Sequence, residues 1–190
     1  MSYITDRFDD DVVRLLEKGG IGFMPSDTIY GLSCLALNRD AVEKIHKTKL
    51  RDDNKPFIVL ISNIGQLEGL GVDKSLAKPV ADYWPGALSA VLPSGNIPAW
   101  LERGKKSLAV RLPANNPLTQ LIDRVGPIIS TSANLQGQPP INTVSEAQAI
   151  FGGQLDFYVD GGKLDGLPST VVEVSDGRLT VLRKGAVTIG

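Results

Sequence analysis

The sequence predicts one α/β domain built on a mixed sheet, and three observations support this prediction. The chain has 190 residues, 42% hydrophobic and 22% charged, which fits a single globular domain over residues 1–190. Short apolar runs alternate with helical patterns along most of the chain, as in folds whose sheets contain parallel strands. Two β-rich runs joined by Asp176-Gly177 then predict a hairpin, which adds antiparallel pairing.

The first elements along the chain are a helix and a strand. Apolar residues at helical spacing, followed by the stop Gly19-Gly20, predict a helix over about 6–18. The apolar run 21–24 is predicted to be a strand, which Pro25 ends because proline cannot donate to a ladder.

A second helix and a buried strand follow. Asn38 and Asp40 are predicted to cap the helix, which runs into a basic loop over 47–56. The continuous apolar run 57–61 is typical of a strand covered on both faces. Residues 62–83 show only a weak helical pattern.

The second half of the chain repeats the alternation. Asn116 and Pro117 predict the start of a helix, and Thr143 with Glu146 forms a capping-box pattern for another that ends near 151–153. Residues 93–106 are predicted to be loop because they are rich in Pro, Gly and Asn. Strands are predicted over 90–92, 107–111, 127–129, 157–160, 170–174 and 179–182.

Polar residues after the first strand mark the first candidate site. Ser26, Asp27 and Thr28 follow the strand, at a place where an open α/β sheet presents polar groups to a small ligand. Gly31 is predicted to let the chain turn back. The alternative is an ordinary turn capped by Ser26 and Asp27. Two more hydroxyl-rich stretches, 130–134 and 169–170, are predicted at the ends of other strands.

Cationic side chains accompany these hydroxyls. Five lie in or beside separate predicted loops: Lys49, Arg51, Lys55, Arg111 and Arg183. A cleft lined by hydroxyls, backbone amides and fixed cations suits a phosphate-bearing ligand. The cluster at 49–55 has the alternative reading of a solvated loop, because Asp52 and Asp53 interrupt it. Arg111, next to an apolar strand, needs a partner.

Composition excludes several kinds of site. The single Cys34 and single His46 leave no internal disulfide, no multi-cysteine zinc site and little basis for a catalytic triad. Cys34 is predicted to be a small core residue and His46 to be exposed. Walker and dinucleotide glycine motifs are absent from the sequence. A formal net charge of −1 argues against a general polyanion binder.

The N-terminus predicts a cytoplasmic location with no membrane partner. No apolar run approaches the roughly 18 residues of a membrane span, and no basic region with an apolar core opens the chain.

Six stretches occur together in an order that resembles a known family. The sequence resembles the YrdC-like family, the threonylcarbamoyl-AMP synthases, in its short single-domain form. The resemblance rests on Pro25 to Leu32, Lys49-Leu50-Arg51, Trp84-Pro85-Gly86, Ser107 to Arg111, Ser130 to Asn134, and Ser169 to Val172.

The resemblance implies a fold and a reaction. The fold is a twisted mixed sheet with flanking helices and a deep basic cleft. The reaction joins L-threonine, bicarbonate or CO2, and ATP with Mg²⁺ to give threonylcarbamoyl-AMP and pyrophosphate. Its implied partners are the tRNA-modifying threonylcarbamoyl transferase, which takes the adenylate to the adenosine beside the anticodon, and directly bound tRNA or double-stranded RNA.

The resemblance also implies roles for individual residues. Lys49 and Arg51 would be catalytic. ATP would be held by Lys49, Arg51, Lys55, Ser107, Ser132, Asn134 and Arg183. Threonine would be held by Ser26, Thr28, Tyr30, Arg111, Ser130 and Thr170. Replacing Arg51 or Arg111 with alanine is predicted to leave the fold intact and abolish adenylate formation, because both would face the ligand. No metal ligands are predicted from the protein.

Two other functions stay open at this stage. One is a non-catalytic factor that binds double-stranded RNA or acts in ribosome maturation. The other is a carbamoyl-transfer enzyme like the hydrogenase-maturation proteins that contain a YrdC-like domain, although those carry cysteine-rich fingers and this chain has one cysteine.

Overall fold

The computed structural model describes residues 2–49, 56–135 and 137–190. In this part of the chain ten strands form one sheet, with α-helices packed against it. The strands are β1 Tyr3–Thr5, β2 Gly22–Met24, β3 Gly31–Leu35, β4 Ile58–Leu60, β5 Leu88–Pro93, β6 Ser107–Arg111, β7 Ile128–Ser132, β8 Phe157–Val159, β9 Thr170–Ser175 and β10 Arg178–Arg183. The α-helices are α1 Asp10–Glu17, α2 Arg39–Thr48, α3 Gln66–Gly69, α4 Ala99–Glu102, α5 Asn116–Val125 and α6 Val144–Phe151. Two 3-10 helices cover Lys74–Tyr83 and Gly152–Gln154.

The sheet mixes parallel and antiparallel pairs, which confirms the predicted fold class. Its spatial order is β1-β8-β2-β3-β7-β4-β6-β5-β9-β10. The pairs β1–β8, β2–β8, β4–β6 and β5–β9 are parallel, and the remaining neighbours are antiparallel. The hairpin β9–β10 turns at Asp176-Gly177, both with positive φ, as a two-residue hairpin turn requires.

Capping side chains fix the helix boundaries. Asp9 accepts from the amides of Asp11 and Val12, so α1 begins at Asp10 and not near residue 6. Asn38 caps α2 as predicted. The cap of α5 is Asn115, whose side chain accepts from the Leu118 amide, and not the predicted Asn116. Thr143 caps α6 by accepting from the Glu146 amide.

Strand β3 was not predicted, and Gly31 is its first residue. The chain has turned back within residues 25–30, because β3 runs antiparallel to β2, and from Gly31 it continues as a strand paired on both sides. A Cβ on Gly31 would lie 2.6 Å from Ser130 Oγ and 3.2 Å from the Thr131 carbonyl oxygen, so a side chain here would crowd the close approach of β3 to β7. The short strand β1 and the short helix α4, which lies inside the predicted loop 93–106, were also missed.

The structure confirms the prediction about Cys34 and contradicts the one about His46. Cys34 is fully buried in β3, as predicted, and burial raises the pKa of its thiol. His46 is only 6% exposed and its ring lies edge-on to Phe57. The prediction that His46 is exposed was therefore wrong, because α2 turns this side of its last turn toward the core.

The two faces of the sheet carry two separate apolar clusters. Met24, Leu60 and Ile128 pack with α1 and α5 on one face. Their chain neighbours, including Phe23 and Val59, point to the other face and join the larger cluster, which includes α2. This alternation follows from the two-residue period of a strand. No helix in the described part of the chain is both long and apolar enough to cross a membrane.

A substitution at Gly22 tests how tightly β2 and β8 pack. A Cβ on Gly22 would lie 2.2 Å from the ring of the fully buried Phe157. We expect Gly22→Ala to lower the free energy of unfolding by about 1–3 kcal/mol because a packed core resists overfilling. Urea unfolding monitored by circular dichroism measures this change in the free energy of unfolding.

Gly69→Ala is the matched control for that measurement. A Cβ on Gly69 in α3 meets nothing within 4 Å, so alanine should stabilise the helix or leave its stability unchanged. Equal stability of the two variants would contradict the packing described at Gly22.

Candidate functional site

A cavity of about 310 Å³ lies on the sheet face that α1 and α5 cover only in part. Ile58 of β4 pairs with Ala109 of β6 on one side and with Ser130 of β7 on the other, and all three line the cavity. The full lining is Ser26, Thr28, Ile29, Tyr30, Pro56, Ile58, Val91, Ala109, Arg111, Ser130, Thr131, Ser132, Pro168, Ser169, Val171, Leu182 and Arg183.

Strand β7 shows how one face serves both core and cavity. Ile128 packs in the cluster under α1 and α5, whereas Ser130 and Ser132, two and four residues on, line the cavity. The sequence placed these serines after a strand, but they lie within β7. Their hydroxyls are therefore held by a strand with partners on both sides.

The loop 25–30 between β2 and β3 forms one wall of the cavity. Ser26 Oγ lies 3.0 Å from Thr28 Oγ1, donates to the Ile29 carbonyl at 2.7 Å, and accepts from the Thr28 amide at 3.2 Å. Both side chains are buried. This local network fixes the two hydroxyls for which the family resemblance implies a role in binding threonine.

Arg111, at the end of β6, is tied to this loop. Its Nη2 lies 3.2 Å from Asp27 Oδ1, and its Nη1 donates to Thr28 Oγ1 at 3.1 Å. Its Nε has no hydrogen-bond partner among the described residues. Burial lowers the pKa of Arg111, the Asp27 carboxylate opposes that shift, and Arg183 adds to it. Arg111 therefore lines the cavity as a cation whose guanidinium is fixed by Asp27 and Thr28.

The burial of the Asp27–Arg111 pair argues against the expectation that Arg111→Ala leaves the fold intact. The two side chains are 8% and 5% exposed, and Asp27 Oδ2 also accepts from the Ala114 amide at 3.1 Å. Removing the arginine alone would leave a buried carboxylate without its counterion, at a cost of about 3–5 kcal/mol.

Arg183, in β10, is the second cation that lines the cavity. Its Nη2 donates to the Ser169 carbonyl at 2.8 Å and lies 3.4 Å from Ser169 Oγ. Ser169 Oγ also lies 2.8 Å from Ser89 Oγ. Burial lowers the pKa of Arg183.

Ser169, and not Thr170, is the hydroxyl residue that reaches the cavity from this part of the chain. Thr170 is buried outside the lining, where its hydroxyl donates to the Val187 carbonyl at 2.5 Å and accepts from the Val187 amide at 3.1 Å. The sequence could have indicated this through the alternation of side chains between the two faces of β9. Val172 faces the core, so Thr170, two residues earlier, faces the core as well.

Tyr30 lines the cavity, but its hydroxyl is already bonded. It donates to the Gly162 carbonyl at 2.6 Å and accepts from the Gly161 amide at 2.8 Å. The ring stacks on Phe23 at a centroid distance of 4.4 Å. The implied role of Tyr30 as a direct threonine ligand therefore has no support from these contacts.

Lys49 lies outside the cavity lining and is only 2% exposed. Its Nζ donates to the Ser132 carbonyl and, at 2.9 Å each, to the carbonyl and Oδ1 of Asn134. Ser132 Oγ donates to the same Asn134 Oδ1 at 2.8 Å. In this structure Lys49 and Asn134 thus support the end of β7, while Ser132 alone of the three lines the cavity.

Of the remaining predicted ATP residues, Ser107 is described and is not part of the cavity lining. Ser107 begins β6 on the same side as Ala109 and Arg111, because it precedes them by two and four residues. Arg51 and Lys55 lie outside the described residues.

The lining has the chemistry of an anion site. Its described residues include Arg111, Arg183 and six serine or threonine hydroxyl groups besides the Tyr30 phenol, and they include no carboxylate. Fixed donors in a partly enclosed cavity stabilise anionic groups more strongly than they would in water. Among the described residues there is no cluster of three or more metal-binding side chains.

Comparison with known proteins identifies relatives of this chain. A family model named Sua5_yciO_yrdC and described as "Telomere recombination" matches residues 14–185. A protein of Coxiella burnetii named threonylcarbamoyl-AMP synthase is 35% identical over 157 residues, which cover 80% of this chain and 84% of that protein.

Solved structures agree with this relationship. Sua5 of P. abyssi in complex with L-threonine superposes with a TM-score of 0.85 at 29% identity, covering 97% of this chain and 57% of that one. This chain thus spans little more than half of Sua5. YciO of E. coli superposes with a TM-score of 0.83 at 26% identity, covering 97% and 96% of the two chains. The chain belongs to the Sua5/YciO/YrdC family.

Proposed function

We propose that this protein is a threonylcarbamoyl-AMP synthase. The amine of L-threonine and bicarbonate form a carbamate and release water. A carbamate oxygen then attacks the α-phosphorus of ATP, and pyrophosphate leaves. The attacking group belongs to the substrate, so the protein needs no nucleophile of its own and has to align the reactants and balance their charge.

The placement of Arg111 is the observation that best supports this proposal. A guanidinium that lines the cavity and is fixed by Asp27 and Thr28 suits an amino-acid carboxylate. Ser26, Thr28 and Ser130 supply hydroxyls in the same cavity for the amino and side-chain groups. The family relationship to proteins named threonylcarbamoyl-AMP synthase points to the same substrate.

ATP is proposed to extend from this cavity past Arg183. The Arg183 guanidinium would contact phosphate oxygens, and Ser132 would donate to them from β7. Ser107, Lys55 and Arg51 would continue the contacts along the triphosphate, with Arg51 and Lys49 closest to the reacting phosphate. Lys49 would exchange one of its present carbonyl acceptors for a phosphate oxygen.

Mg²⁺ is proposed to arrive with the triphosphate. It prefers oxygen ligands and usually keeps several waters beside substrate phosphates. The described lining holds no carboxylate, so the phosphate oxygens and water would supply its ligands. The adenylate would pass to the threonylcarbamoyl transferase that modifies tRNA. Direct contact with tRNA or double-stranded RNA and a cytoplasmic location stay predictions.

Dependence on three substrates tests the reaction. Purified protein with ATP and Mg²⁺ should release pyrophosphate and form an adenylate only when both L-threonine and bicarbonate are present, because the nucleophile is the carbamate. Pyrophosphate can be followed with a coupled assay and the adenylate by mass spectrometry. Release that is independent of bicarbonate, or no turnover with any amino acid, would refute the proposal.

Arg183 tests the placement of ATP. Arg183→Ala should raise the KM for ATP by about tenfold or more, because a charged hydrogen-bond donor is lost, while the KM for threonine changes little. Steady-state kinetics with each substrate varied in turn measures both constants.

Arg178→Ala provides the matched control for Arg183. Arg178 begins the same strand, is exposed, and is not part of the cavity lining. Equal effects of the two substitutions on the KM for ATP would mean that ATP does not bind beside Arg183.

A further inference from the structure

A segment without helix or strand, residues 160–169, joins β8 to β9 and is here called the strap. Six strands lie between β8 and β9 in the sheet. In a flat sheet the strap would have to cross about 34 Å, which is comparable to the full reach of ten residues, about 33–36 Å. The strap is therefore a crossing connection, and its last two residues, Pro168 and Ser169, line the cavity.

The strap packs closely on the loop 25–30. A Cβ on Gly161 would lie 2.9 Å from the Pro25 ring, and a Cβ on Gly166 would lie 2.3 Å from the Thr28 carbonyl oxygen. Glycine is needed at both positions for this approach. The wall of the cavity that holds Ser26 and Thr28 is thus in direct contact with the strap.

Tyr30 makes the polar connection between the two segments. Its hydroxyl bonds both the Gly161 amide and the Gly162 carbonyl, and its ring is held by stacking on Phe23. The far end of the strap is fixed separately, since the Ala186 amide donates to the Pro168 carbonyl at 2.9 Å. Between these two points the strap is held in place by its contacts with the loop 25–30 and by Leu164, which packs against the core.

We propose that Tyr30 is a positioning residue: it fastens the strap to the loop 25–30 and so fixes both walls of the amino-acid site. This inference rests on the proposed function for its kinetic readout. Tyr30 acts through the strap, because its hydroxyl already has one donor and one acceptor. Loss of the hydroxyl should free the strap and loosen Ser26, Thr28 and Ser169 together.

Trypsin cleavage after Lys163, within the strap, can report whether the strap has detached from the surface. Lys163 is exposed, whereas Leu164 packs against the core and its amide donates to the Asn142 carbonyl. Trypsin can cleave after Lys163 only when the strap leaves the surface, so the cleavage rate reports the population of the open form. Mass spectrometry of the intact chain identifies this cut.

Two variants test the proposal. Tyr30→Phe should speed cleavage after Lys163 by about tenfold or more, as expected for two lost hydrogen bonds, and should raise the KM for L-threonine by a similar factor with little change in kcat. Gly166→Ala should do the same with Tyr30 intact, because the new methyl group pushes the strap off Thr28.

Tyr158→Phe is the matched control. Tyr158 is equally buried, its ring lies 6.1 Å from the Phe23 ring, and its hydroxyl donates to the Gly152 carbonyl at 2.7 Å, outside the strap. This variant loses a buried hydrogen bond but should leave both strap cleavage and the KM for threonine within about twofold of the unsubstituted protein.

Each contrary outcome has a distinct meaning. A higher KM in Tyr30→Phe without faster cleavage would show that Tyr30 binds substrate directly and would overturn the proposal. Faster cleavage with an unchanged KM would show that the strap does not shape the site, which also overturns it. If the unsubstituted protein does not turn over, the proposed function fails, and an unchanged cleavage rate would then separately overturn the fastening role of Tyr30.

Discussion

The buried ion pair between Asp27 and Arg111 is the interaction on which the arrangement of the cavity depends. It joins the loop 25–30 to the end of β6, and Asp27 also holds the Ala114 amide just before α5. An arginine this buried would be costly without a counterion. The Asp27 carboxylate offsets part of the cost of burying the Arg111 guanidinium, which lines the cavity beside Ser26 and Thr28. With Arg111 as the proposed carboxylate ligand, substrate binding and local stability are coupled at one residue.

The sheet provides the second constraint, because a single face serves two purposes. Apolar side chains of this face pack against α1 and α5, and other side chains of the same face, several of them serines, line the cavity. The change occurs within strands such as β7, between Ile128 and Ser130. Strands with partners on both sides hold the hydroxyls more rigidly than loops would, which suits a reaction that depends on alignment. The loop 25–30 and the strap then close the cavity from the open side.

Local sequence signals predicted most of the fold but only part of the site. Caps such as Asn38 and Thr143, the hairpin turn at Asp176-Gly177 and the apolar runs were sufficient to place most elements. Strand β3 was missed because Gly31 and Ser33 lack the composition of a strand, and only the partner β7 explains them. The partner of Arg111 is 84 positions away in sequence, so no local pattern could identify it.

The roles of Tyr30, Thr170 and Lys49 show the same limit. A motif can place such residues near a site, but the partner of each polar group depends on tertiary packing. The Tyr30 hydroxyl is taken by the strap, the Thr170 hydroxyl by Val187, and the Lys49 ammonium by carbonyls at the end of β7. Only for Thr170 did the sequence contain a usable signal, namely the alternation along β9.

The central claim is that Arg111 receives the carboxylate of the amino acid. Comparing kcat/KM for L-threonine and L-threoninamide tests this most directly, since the amide keeps the amine that forms the carbamate and replaces the carboxylate with a neutral group of similar size. We predict that kcat/KM for the amide is lower by about a hundredfold or more, as expected when a buried charge loses its partner. Similar kcat/KM values for the two compounds would contradict it.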